Sequence, residues 1–388
     1  MLCVNGLRAL IFPLFAVVAA GASGCEEMPP RGPVDLRAAR VTAVELAPAS
    51  GVPRICPGTD VPLTLEVEAV LPGDDRARHF YAQRRFYDDW VFDPREMHVT
   101  SPDGLVGDDL VLHTSADPLI SATHGFLVNV RAPGSGPSFG LRYMPSYDCV
   151  KSLGHQGQGG QRGHDGDHGL SAMSEEGGQV GETGSSGGGG GAGPTVTMFA
   201  TYVSTPYYPK LLAVVAEDGP EAFALANPGA SLVLEARGGA GGEGGRGGTG
   251  GNGLVRATCS QHGRRGGCTA WHSYLPGRGG LGGEGGEGGA GGQLVLHVDA
   301  RFPEIAHAVV LDVDGGDGGP GGRGGDGGEP GYSYAYSPGA SDHESAHGPA
   351  GAPGIQGRQG PPGTATIVYD DVRPRFDGRP GITVLPST

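Results

Sequence analysis

Gly277-Arg278-Gly279-Gly280-Leu281-Gly282-Gly283-Glu284-Gly285-Gly286-Glu287-Gly288-Gly289-Ala290-Gly291-Gly292 carries glycine at every third position from Gly277 and again from Gly279. Five other stretches keep the same period: 154–169, 178–193, 238–253, 316–331 and 348–363. Each holds six glycines in register, and all are equally long. A linker with no fixed structure has no reason to keep register or length. An extended helix with three residues per turn and no internal hydrogen bonds puts every third residue on one edge. If that edge has no Cβ, another chain can approach closely enough for N–H and C=O to pair across. The pattern therefore predicts rods roughly 45–50 Å long, at about 3.1 Å per residue, that hydrogen-bond to one another.

Strand-like runs flank the glycine stretches in pairs: Phe139–Met144 and Thr195–Val203, Ser231–Ala236 and Gln293–Asp299, His307–Val313 and Thr364–Asp370. Each unit reads strand, glycine rod out, tip loop, glycine rod back, strand. The arrangement resembles the polyglycine-II bundles of glycine-rich arthropod antifreeze proteins and of phage tail-fibre adhesins. That resemblance implies six antiparallel polyglycine-II helices over residues 151–372. Collagen is a poor fit. Only Gly348–Gly363 is proline-rich, and a chain that doubles back after each short stretch cannot build a long parallel triple helix. Glycine occupies two edges in 238–253, 277–292 and 315–331, which should be central. It occupies mainly one in 154–169, 178–193 and 348–363, which should be peripheral.

The N-terminal part differs. Residues 41–150 contain short apolar runs separated by Pro72-Gly73-Asp74-Asp75, Pro102-Asp103-Gly104 and Pro133-Gly134. Strands are expected near Val41–Leu46, Val61–Val70, His79–Phe86, Glu96–Thr100, Asp109–His113, Phe126–Arg131 and Phe139–Met144. Leu63, Leu65 and Val67 alternate with Thr64, Glu66 and Glu68, as in a strand with one wet face. The whole resembles bacterial Ig-like modules, which implies a β-sandwich. The expected fold is thus mainly β with almost no α-helix, an Ig-like sandwich followed by the strand-and-rod domain and a tail over 373–388.

Before the sandwich, Arg8 and the apolar run Ala9–Ala20 read as an export signal ending at residue 24. Ala22-Ser23-Gly24-Cys25 resembles a bacterial lipobox. This implies lipid on Cys25, a tether over 25–40, and a cell-envelope address on the outer membrane. Removal of Cys3 with the signal and lipidation of Cys25 leave Cys56, Cys149, Cys259 and Cys268. An even remainder in an exported chain suggests disulfides, with Cys56–Cys149 and Cys259–Cys268 the natural pairs. No CxxC pair is present.

A formal net charge of −15 argues against a nucleic-acid partner. His343-Glu344-Ser345-Ala346-His347 fits H-E-x-x-H, which needs both histidines on one helical face. Pro338-Gly339 before it and Gly348-Pro349 after it leave barely two turns. A zinc-dependent hydrolase on these residues is the alternative reading. His164 and His168 read as solvated positions, and Gly136-Pro137-Ser138-Phe139-Gly140 lacks the strand-then-helix setting of a nucleophile elbow. No catalytic residue, metal or cofactor is expected. Aromatic and basic residues instead gather in two tip loops: Arg256, Arg264, Arg265, Trp271 and Tyr274 in one, Tyr332, Tyr334 and Tyr336 in the other. Such side chains are typical binding anchors. The chain reads as a non-enzymatic structural or adhesive lipoprotein, with the bilayer as one partner and a polysaccharide or surface ligand as another. Ice binding ranks below this, because Glu243, Arg246, Glu284, Glu287, Arg323 and Asp326 charge the outward faces.

Overall fold

The computed structural model describes residues 32–386 except 84–89, 135, 174–175, 218–221, 261–266, 334–342 and 345. Strand dominates among these residues, and both α-helices, Pro118–His124 and Ile305–Ala308, are short. The chain divides into two units. The first runs to Ala116 and resumes over Gly125–Pro145; the second takes Asp117–His124 and everything from Ser146.

In the first unit Asp60–Val70 pairs antiparallel with Arg40–Pro48, Arg78–Tyr81 and Val111–Thr114. A second sheet runs Arg54–Ile55, Ser138–Pro145, Phe126–Arg131, His98–Thr100. Alternation decides which side chains turn inward. Leu63, Leu65, Val67 and Ala69 are buried, while Thr64, Glu66 and Glu68 between them are not. They share one core with Phe80, Leu112, Phe126, Val128 and Val130. Each such Leu, Val or Phe stabilises the unit by about 1.5–3 kcal/mol. The buried Tyr143 hydroxyl donates to the Leu46 carbonyl, and burial pushes it up to about 12.

The second unit has two layers. In one, Ser152–Gln156, Leu232–Arg237 and Val309–Asp312 form a parallel sheet. In the other, Thr195–Ser204, Gln293–Asp299 and Thr364–Asp370 are parallel, and the hairpin Leu211–Ala216 with Ala222–Ala226 extends the sheet beyond Thr195–Ser204. Val196, Met198, Leu294, Leu296, Leu232 and Leu234 fill the space between the layers. Leu211–Ala216 is buried at all six positions because its other face meets Tyr147, Val372 and Phe376.

Each layer continues as glycine segments in the register of its strands. Gln156 lies opposite Arg237, and the next N–H, of Gly157, donates to the Arg237 carbonyl at 2.9 Å. The donors then follow every third residue: Gly160 to Ala240, Gly163 to Glu243, Gly166 to Arg246, Gly169 to Thr249. The second and fourth segments are tied alike, from Gly193 to Ala290 back to Gly181 to Arg278. Between layers the bonds run antiparallel, as in Gly245 to Ser185 and Gly283 to Gly245, both 2.8 Å. Odd segments form one layer and even segments the other, each bonded to its sequence neighbours and to the next segment of its own layer.

The order of burial departs partly from expectation. The third and fourth segments bond to four others, but the second and fifth to three each, and the first and sixth to two. The second segment is therefore not peripheral. Its Gln179, Glu182 and Ser185 donate to the first segment and accept from the third while their side chains stay exposed. A row needs glycine only where its Cβ would point at a neighbour.

The strand entering the first glycine segment is Ser152–Gln156, not Phe139–Met144, which belongs to the first unit. Its apolar signal is absent, and Gly154 sits at φ +130° where a Cβ would overlap the Glu235 carbonyl. Residues 373–384 are no tail: Phe376 is 1% exposed, and Thr383–Val384 pairs with Val203–Ser204. The first unit ends at Pro145 rather than 150, which leaves Cys149 in the second unit. Cys56 and Cys149 are disulfide-bonded. The proposed signal, Cys25 and the tether as far as residue 31 lie outside the described residues, but 32–40 are not a tether: Leu36 is fully buried in the core of the first unit, and the Val34 N–H donates to the Val91 carbonyl at 2.7 Å.

Candidate functional site

The segments leave the sheets in one direction, so their turns gather at the far end. There Ala172 N–H donates to Asn252, Gly253 to Glu329, Gly178 to Leu275 and Gly348 to Gly328. From this end rises the hairpin Leu254–Ser260 with Gly267–Tyr274, and beside it the short pair Tyr332–Ser333 with His343–Glu344.

The structure brings several expected residues together here. Arg256 lies opposite His272, and its Nη2 donates to the Met173 carbonyl at 2.9 Å, tying the hairpin to the first turn. Tyr274 is half-buried opposite Leu254, and Trp271 lies opposite Ala257 on the backbone ladder. Cys259 and Cys268 face each other across the ladder. Tyr332 pairs with Glu344. Arg264, Arg265, Tyr334 and Tyr336 lie outside the described residues. Exposed apolar side chains at the same end were not anticipated: Leu170, Met173 and Leu275, the second of them 82% exposed. They sit in turns whose sequence carries no pattern.

The H-E-x-x-H reading loses its scaffold. His343 and Glu344 form a two-residue strand paired with Tyr332–Ser333 rather than a helical turn. Among the described residues no three His, Cys, Asp or Glu side chains converge on a common point.

A second concavity, of about 510 Å³, lies on the six-stranded sheet, lined by Thr197, Phe199, Glu217, His297, Asp370 and Arg375. His297 Nδ1 is 2.7 Å from Asp370 Oδ2 and its ring stacks on Phe199 at 4.8 Å. Arg375 covers Phe199 at 4.7 Å and pairs with Glu217 at 2.5 Å. At the rim Arg373 holds the Asp371 carboxyl down to about 2. A His–Asp pair orients an imidazole, but no activated nucleophile stands beside it in these contacts. The sequence reading missed the cleft because its residues come from three separated strands, the residue after a fourth, and a 3-10 turn. No protein-family model, curated protein or solved structure matches this chain.

Proposed function

We propose that this chain is a non-enzymatic cell-envelope lipoprotein with a structural or adhesive role, anchored through Cys25 and presenting two hairpins on a rigid glycine bundle. One observation carries the reading: both hairpins leave the same end of a lattice whose segments are cross-bonded every third residue. Loops on rigid scaffolds are the usual carriers of binding. The three-residue donor period, the bonds between rather than within segments and the close glycine edges support polyglycine-II geometry. The two mostly antiparallel sheets sharing one core support an Ig-like first unit. The ligand is a polysaccharide or another surface, met by Arg256, Arg264, Arg265, Trp271, Tyr274, Tyr332, Tyr334 and Tyr336. The lipobox resemblance supports an outer-membrane address, and the acidic charge disfavours nucleic acid.

A glycan array probed with the purified chain tests the binding role. Retention on a defined glycan class, lost in Arg256→Ala with Tyr274→Ala at unchanged melting temperature, is the expected result. Retention that survives this double substitution would remove the hairpins from the proposal.

A further inference from the structure

The two lateral edges of the second unit are finished differently. Past Thr195–Ser204 the hairpin Leu211–Ala216 with Ala222–Ala226 adds two strands, and its Leu212, Val214 and Ala226 close that side of the core. Past Thr364–Asp370 no strand follows among the described residues. Thr364 N–H donates to Gly292 at 3.0 Å, and the Asp370 carbonyl accepts from Ala300 at 2.9 Å. Alternate residues of a parallel ladder face the same neighbour. Thr366 and Val368 therefore also face Gln293–Asp299, and the N–H and C=O groups of Ala365, Ile367 and Tyr369 point away from the sheet.

The core is open at the same place. Ala365, Ile367 and Tyr369 stand in register with Leu294, Leu296 and Val298, which are fully buried between the layers. Yet Ile367 is 37% and Tyr369 53% exposed. A seven-residue strand with one apolar face and free backbone groups is a template for pairing. The glycine segment before it is not. Pro353 and Pro362 remove two of its outward donors, which favours a short strand over another rod as the occupant of this edge.

We propose that Thr364–Asp370 pairs antiparallel with the same strand of a second copy, about a twofold axis through Ile367. This centre overlaps all seven residues. It sets Ala365 opposite Tyr369 of the other copy and Ile367 opposite itself, so that outward N–H and C=O groups meet outward groups. It sets small opposite large, and Asp370 opposite Thr364 rather than another acid. The interface is isologous, and the two six-stranded sheets become one.

Sedimentation velocity of the full chain carrying Cys25→Ala, which keeps lipid-driven association out, tests the pairing over a wide concentration range. The expected species has twice the chain mass. Ile367→Pro deletes an outward N–H, which an edge strand tolerates; it should sediment as a monomer at every concentration, with a melt matching that of the parent chain diluted to monomer. Ile367→Cys should cross-link to a covalent dimer on oxidation, because opposed Cα atoms in a hydrogen-bonded antiparallel pair are about 5.5 Å apart, within disulfide reach. Val310→Cys, also exposed, should not. A monomeric parent chain, as expected if the edge serves another protein's strand, would overturn the proposal. So would a dimer that survives Ile367→Pro, or equal cross-linking of the two cysteine variants.

Discussion

Gly245→Ala and Gly159→Ala are the same chemical change in the same bundle and should act with opposite sign. Gly245 lies in the third segment, bonded to four others. Its N–H donates to Ser185, its carbonyl accepts from Gly283, and an added Cβ would overlap the His164 carbonyl. To accept the methyl, the first segment must move off the third. This breaks at least the flanking bonds from Gly163 to Glu243 and Gly166 to Arg246, 2.7 and 2.8 Å long. Two to four lost bonds at about 1 kcal/mol each give a destabilisation of about 2–4 kcal/mol. The entropy removed from the unfolded chain offsets about 0.4–1 kcal/mol of that. At Gly159 the added Cβ would come no nearer than 3.9 Å to the Ala240 carbonyl, and the backbone φ is not in the left-handed region. Only the entropic gain remains, about 0.4–1 kcal/mol. For a unit of this size 1 kcal/mol moves the melting temperature by about 2–4 °C, so Gly245→Ala should melt roughly 2–14 °C lower and Gly159→Ala slightly higher. Differential scanning calorimetry reads both. Equal shifts, or a larger loss at Gly159, would refute the claim that close inter-segment approach sets where glycine is required.

Three other outcomes are expected. Asp299 is 1% exposed and accepts from Thr201 and Arg301; burial pushes its carboxyl up, but those hydrogen bonds outweigh this and hold it below its ordinary 3.8. With the folded value lowered, its contribution is full above the unfolded value and is lost as pH falls through the folded one. Melts from neutral pH down to strong acid should therefore show Asp299→Asn destabilised at neutral pH and converging on the parent in acid; parallel curves would show that the charge is not what matters. Peptide mapping without reduction should recover Cys56 joined to Cys149 and Cys259 joined to Cys268, the latter closing a loop of about 10 residues worth roughly 2–3 kcal/mol; a Cys56–Cys259 peptide would contradict both. Cys25→Ala should release the chain from the membrane fraction and abolish fatty-acid labelling, and an unlabelled parent would dismiss the lipobox.

The parts of this fold that the sequence discloses are those with a period. Glycine at every third residue announces the cross-bonded segments, and Gln293–Asp299 and Thr364–Asp370 alternate clearly enough that their bounds coincide with the structure. Ser152–Gln156 is hidden because it already contains the first glycine of the repeat. The Leu211–Ala216 strand shows no alternation because both its faces are buried, and Ala222–Ala226 pairs only with it. The residues of the His297 cleft are legible as types but not as neighbours, since the register between Thr195–Ser204, Gln293–Asp299 and Thr364–Asp370 is fixed by the rods.

That dependence explains how so few apolar residues hold the second unit. A parallel strand pair normally needs a crossover that sets its register, and a strand slipped by one residue turns its apolar set outward. Here the crossover is a pair of glycine segments, and the period of three sets the register before the strands meet. Gly193 to Ala290 and Thr195 opposite Gln293 are consecutive rungs of one ladder, as are Gly291 to Pro361 and Gln293 opposite Thr364. A slip in the rods would drive side chains against the close glycine edges, and a slip in the strands would expose Leu294, Leu296 and Val298. Each half of the ladder therefore forbids the error to which the other is most prone. The sixth segment completes the logic at the edge. It bonds to two neighbours only, and Pro353 and Pro362 stand where an outward N–H has nothing left to pair with, which disfavours a seventh segment while the strand beyond it stays free to pair.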